Sequence, residues 1–110
     1  MRTYANEKGI KAYNFAVPVT VNCPLGGNFY RARVLVSIEL REKIVEFIDL
    51  EDYFKKSLNG LDLTTEALAA EVRDTMVREY EPQAVRVEVI SDSHFEIHTI
   101  TEWKREEAVR

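Results

Sequence analysis

Between Tyr13 and Val21, and again between Tyr30 and Leu40, apolar residues fall on every second position, and no other feature narrows the folds open to this chain so far. Tyr13, Phe15, Val17, Val19 and Val21 alternate with Asn14, Ala16, Pro18 and Thr20. Tyr30, Ala32, Val34, Val36, Ile38 and Leu40 then alternate largely with Arg31, Arg33, Ser37 and Glu39. A strand sends successive side chains to opposite faces, so each run reads as a strand with one apolar face. Pro18 cannot donate a ladder hydrogen bond, which predicts an edge strand or a bulge there. Only Cys23 to Asn28 separates the runs, and Pro24, Gly26 and Gly27 mark that segment as a turn, so the strands are expected to be antiparallel.

At Asp49 the period changes. Leu50, Tyr53, Phe54 and Leu58 share one helical face, with Asp49 as the expected N-cap and Asn59-Gly60 as the stop. Thr64 is expected to cap a second helix that runs to about Tyr80 on an inner stripe of Leu68, Val72 and Met76, and Pro82 ends it. Val85, Val87 and Val89 alternate with Arg86 and Glu88. Phe95, Ile97, Thr99 and Trp103 alternate with His94, Glu96, His98 and Glu102. A turn at Ser91-Asp92-Ser93 would make these two runs a hairpin. The resulting β-β-α-α-β-β order predicts an α+β fold with a four-stranded antiparallel sheet and two helices over one face. Leu35, Ile90 and Ile100 fall on the uncovered face, which predicts contact with other copies of the chain, and the charged Lys104 to Arg110 is expected to fray.

Composition bounds the rest. One domain spanning residues 1–110, with an ordered core at about 10–103, is expected from 110 residues of which 45% are hydrophobic. A single cysteine cannot form an internal disulfide, and the N-terminus has no apolar signal core, so a reducing cytoplasm is the expected compartment. No apolar run reaches the roughly 20 residues of a membrane span. A net charge of −4 disfavours non-specific binding to phosphate backbones.

Three constellations carry possible chemistry. Cys23 is the first: a lone cysteine usually behaves as a small buried hydrophobe, but the adjacent Gly26-Gly27 turn brings bare backbone N–H groups near the thiol, a setting that favours thiolate. Glu66 is the second. An acid in a first helical turn is favoured by the helix dipole alone, yet a carboxylate fixed there also matches the paired N–H groups of a guanine- or pterin-like ring. His94, Glu96 and His98 share one strand face but spread about 13 Å, too far to hold one metal ion unaided, and a polar outer face explains them more simply. No phosphate-binding glycine loop, Ser-His-Asp arrangement or paired-cysteine zinc spacing is present in the sequence.

Element order and motifs together resemble the tunnelling fold of pterin- and deazapurine-handling enzymes. Cys23-Pro24-Leu25-Gly26-Gly27-Asn28-Phe29-Tyr30 resembles the Cys-Pro-(Leu/Val)-Thr-Gly-(Asn/Gln)-Pro-Asp motif of the nitrile reductases acting on 7-cyano-7-deazaguanine in queuosine biosynthesis. The same motif marks their non-reducing relatives, which make archaeosine in tRNA. Val45-Glu46 matches the family's Val-Glu pair, and Thr65-Glu66 matches its helix-start His-Glu anchor. The resemblance spans roughly residues 15 to 100. It implies Cys23 as the nucleophile that forms a thioimide, and Glu66, with Glu46 and Thr65, as substrate-binding residues.

Two departures qualify that implication. The family's general acid, the Asp ending its motif, is Tyr30 here, which moves proton transfer to Tyr30 or to another acid. The Ser-Lys-Ser segment that meets NADPH is absent, so the resemblance points to the non-reducing, ammonia-transferring branch with no cofactor. It further implies a homo-oligomeric ring or barrel with composite sites, a purine- or pterin-like ligand and a possible tRNA partner.

A second similarity is to 6-pyruvoyl-tetrahydropterin synthase. Val45-Glu46-Phe47-Ile48-Asp49-Leu50 resembles its Val-Ile-Asp-Phe-x-Asp-Leu, and Thr64-Thr65-Glu66-Ala67-Leu68-Ala69 its Thr-x-Glu-Asn-Leu-Ala. Its zinc histidines are replaced by Gly26-Gly27-Asn28-Phe29-Tyr30 and, earlier in the chain, by a residue near Val19, so no zinc-dependent synthase is expected. A catalytically silent, zinc-independent relative acting as a ligand-binding or structural oligomer is the alternative.

Overall fold

The two long alternating runs pair with each other along their whole length. The computed structural model describes residues 1–91 and 95–106. Its elements in chain order are strands β1 (Thr3–Ala5), β2 (Ala12–Asn22), β3 (Phe29–Glu39) and β4 (Lys43–Val45), helix α1 (Phe47–Asp52) prolonged by a π-helical stretch (Tyr53–Leu58), helix α2 (Thr65–Tyr80), and strands β5 (Ala84–Ser91) and β6 (Ile97–Lys104). The main sheet is antiparallel with order β2-β3-β5-β6. Its register pairs Val17 with Val34, Val34 with Val89, and Val89 with Thr99.

The period-2 pattern fixes which face is covered. Val19, Val21, Val34, Val36, Ile38, Val85, Val87 and Val89 are buried beneath Leu50, Phe54 and Leu58 of the first helix and Leu68, Val72, Met76 and Tyr80 of the second. Phe15 meets Phe54 edge-on, with ring centroids 6.0 Å apart. Pro18 lies on β2, an edge strand, where its missing N–H costs no ladder bond.

Local details depart from expectation at several points. The first helix is capped by Glu46, not Asp49: Glu46 is extended (φ −66°, ψ 130°) and its carboxylate accepts the Asp49 N–H at 3.1 Å. Asp49 instead lies in the first turn, where it receives Arg2 through the backbone N–H (2.6 Å), Nε (3.0 Å) and Nη2 (2.9 Å). The cap is whichever residue stays extended before the first turn, and residue type alone pointed to the wrong acid. β1 and β4 form a separate two-stranded sheet, Thr3 opposite Val45, and three-residue strands are too short to show a period.

The second helix starts as expected, with Thr64 Oγ1 accepting the Ala67 N–H at 3.1 Å. It ends at Glu81, in the left-handed region at φ 46° just before Pro82. β6 begins at Ile97, so Phe95 precedes the strand and is exposed. Asp92 and Ser93 of the expected turn, His94, and residues 107–110 of the terminal segment lie outside the described residues.

Candidate functional site

The site is built where the β2–β3 turn meets the start of α2. Within the turn, the Cys23 N–H donates to Asn28 O and the Gly27 N–H donates to Cys23 O, both at 2.8 Å. Gly27 has φ +71°, a conformation that a side chain would strain. Gly26 has no such need, since a Cβ there would only contact the Cys23 sulfur at 3.9 Å. The Cys23 thiol is half-buried.

A strap between the helices brings α2 to this turn. The Gly60 N–H donates to Thr20 O (2.9 Å), the Asn22 N–H to Leu61 O (2.9 Å), and the Leu63 N–H to Asn22 O (3.0 Å). Asn22 Nδ2 adds a bond to Asp62 Oδ1 at 2.6 Å. The strap thus satisfies the end of the β2 edge and delivers Thr64, the α2 cap, beside Cys23. Between them lies a cavity of about 390 Å³ whose walls include Cys23, Tyr30, Thr65 and Glu66, with Leu25, Phe29, Ser91 and Ile97 around them.

Four of the five residues singled out from sequence therefore share one cavity. Glu46 is not among its lining residues. It is committed to the α1 cap and to Arg2 Nη2 at 3.4 Å. Tyr30 Oη donates to Leu63 O at 2.6 Å, tying the turn to the strap. Burial above all, and then the negative charge available at Cys23 and Glu66, push the Tyr30 phenol up to about 12. It stays neutral at physiological pH with its proton engaged, poorly suited to the role of general acid.

Thr99 and Ser91 were not legible as site residues. Ser91 is buried at the end of β5 and lines the cavity. Thr99 Oγ1 lies 3.2 Å from Thr65 Oγ1, which lies 3.3 Å from Glu66 Oε2. The inward position of Thr99 follows from strand alternation, but its partner depends on how α2 crosses β6. His98 sits on the opposite face, with Nδ1 against Glu88 and Nε2 3.0 Å from Glu96 Oε2. Hydrogen bonding to these two carboxylates raises the His98 pKa, and the hydrogen bond with His98 lowers that of Glu88. Among the described residues, no three His, Cys, Asp or Glu side chains are grouped to hold a metal ion.

No family model matches the chain, and no curated protein matches it significantly. Among solved structures, the crystal structure of the archaeosine synthase QueF-Like in the apo form superposes with a TM-score of 0.79. The match covers 86% of this chain and 94% of that one at 18% identity. At that identity the likeness shows the fold alone, and the chain adopts the tunnelling fold. Among the described residues, no helix is long and apolar enough to cross a membrane.

Proposed function

We propose that this protein is a deazapurine- or pterin-binding enzyme of the nitrile-processing type, non-reducing, with Cys23 as nucleophile and Glu66 as ring anchor. The observation that carries this reading is the convergence of Cys23, Thr65 and Glu66, distant in sequence, on one cavity. The shared fold with an archaeosine synthase supports it at the level of architecture.

The chemistry balances without a redox partner. The Cys23 sulfur bonds to the nitrile carbon, one C–N π bond breaks onto nitrogen, and the thiol proton ends on that nitrogen as a thioimide. Ammonia then displaces the thiolate, leaving an amidine and restoring the thiol. Glu66 would hold the ring by accepting two neighbouring N–H groups.

Tyr30 gives weight to a second reading. Tyr30 stands in the motif where the family has its acid, but its hydroxyl donates to Leu63 O, which favours a relative that binds the ligand, or captures it covalently, without turnover.

Incubation with 7-cyano-7-deazaguanine, followed by intact mass and near-ultraviolet absorbance, tests the nucleophile. The expected result is a mass increase equal to the whole nitrile together with thioimide absorbance, both lost in Cys23→Ala. No adduct on the wild type, or one that survives the substitution, overturns this role. Repeating the incubation with tRNA carrying the nitrile base asks whether the ligand is polynucleotide-borne.

A further inference from the structure

We infer that Thr99, on β6, is a positioning residue that acts through Thr65 to fix the Glu66 carboxylate for ligand binding. This inference rests on the reading of Glu66 as ring anchor.

The direction of the two contacts follows from what each group can do. An ionised carboxylate has no proton to give, so Thr65 must donate its hydroxyl proton to Glu66 Oε2. Thr65 then has only lone pairs to offer Thr99, so Thr99 must donate to it. The relay is directional, from a sheet strand to a helix start to the cavity. Both contacts, at 3.2 and 3.3 Å, are longer than the ~2.7–2.8 Å of an optimal O–H···O bond. Such slack is common in unliganded sites, whose bonds tighten when a ligand is drawn in.

The relay answers a need specific to Glu66. Its residue is exposed at the helix start, so its carboxylate would otherwise sample several rotamers. Accepting two ring N–H groups requires the carboxylate plane to be held, and ordering it on binding would weaken affinity. Thr64 does not supply this restraint: its hydroxyl accepts the Ala67 N–H as the helix cap, and the bond to Glu66 Oε2 comes from Thr65. Thr99 orients Thr65 from a strand paired into the main sheet. Thr99 lies opposite Val89 on the covered sheet face and is only half-buried, so a change there need not disturb the core.

The test uses 7-cyano-7-deazaguanine and the full chain. Calorimetry on Cys23→Ala isolates non-covalent affinity, and Thr99→Val and Thr99→Ser are compared in that background. Loss of one hydrogen bond predicts an affinity roughly threefold to tenfold weaker for Thr99→Val, with Thr99→Ser restoring most of it. In the presence of Cys23, Thr99→Val should raise the half-saturating concentration for adduct formation and leave the limiting rate unchanged. A purely structural role would lower thermal stability without this split. Equal affinity for Thr99→Val and its parent, or equal weakness of Thr99→Val and Thr99→Ser, overturns the inference. Binding without an adduct overturns the nucleophile reading alone, while the Thr99 comparison still decides. No binding by the wild type or by Cys23→Ala overturns both.

Discussion

Tyr80 shows how single atoms at the core depart from an optimal solution. Its side chain is 0% exposed, between α2 and the sheet, and its Oη has no hydrogen-bond partner among the described residues. A buried, unpaired hydroxyl costs free energy that its ring's packing must offset. Tyr80→Phe is therefore expected to raise the denaturant midpoint, with a gain of about 1 kcal/mol. A lower midpoint would show that the hydroxyl has a favourable role. Tyr30 makes a different use of the same group: its hydroxyl is paired with Leu63 O, and its cost is recovered by joining turn to strap. Alternation placed Tyr30 on the apolar face of its strand and helical period ended the second helix near Tyr80, but whether either hydroxyl finds a partner depends on atoms far away in sequence.

At the scale of elements, the β5–β6 hairpin carries a pH-sensitive contact. The His98 pKa is raised through Glu88 first and Glu96 next, and the Glu88 pKa is lowered, chiefly by His98. The His98 contribution is fully present below its unfolded value of about 6.5 and is lost as pH rises through the folded value. The Glu88 contribution is present above its unfolded value of about 4.3 and is lost as pH falls through the folded one. Together they favour the folded state most between about pH 4.3 and 6.5. Thermal melts at pH 6 and pH 8 should differ more for the wild type than for His98→Gln, and equal differences would remove His98 from the account. Most elements themselves were legible: β2, β3, β5 and α2 agree with their periodicity to within a residue or so at most ends. The short strands β1 and β4, and the α1 cap, were not, because three residues carry no period and a cap depends on backbone conformation.

At the scale of the whole molecule, the helices cover one sheet face and leave the other with Leu35 and Ile90 half-buried and Ile100 50% exposed. The edge strand β2 also borders an apolar groove of about 310 Å³ formed with Tyr13, Phe15, Phe47 and Phe54. These surfaces suit assembly with further copies, as the ring or barrel that the resemblance implies would require, and symmetric closure would remove the free sheet edges. Sedimentation at micromolar concentration is expected to show a species heavier than one chain. A lone monomer would leave the assembly proposal without support. By itself the sequence determined the α+β order, the covered face of the sheet and the turn that carries Cys23, because all three follow from side-chain period and from glycine and proline chemistry within a few residues. Only the tertiary structure decided that Glu66 and Thr65 stand across a cavity from Cys23, that Thr99 stands behind them, and that Glu46 does not line it. Those relations depend on the strap at 59–63 and on the crossing of α2 over the sheet, where contacts distant in sequence set positions that no local pattern encodes.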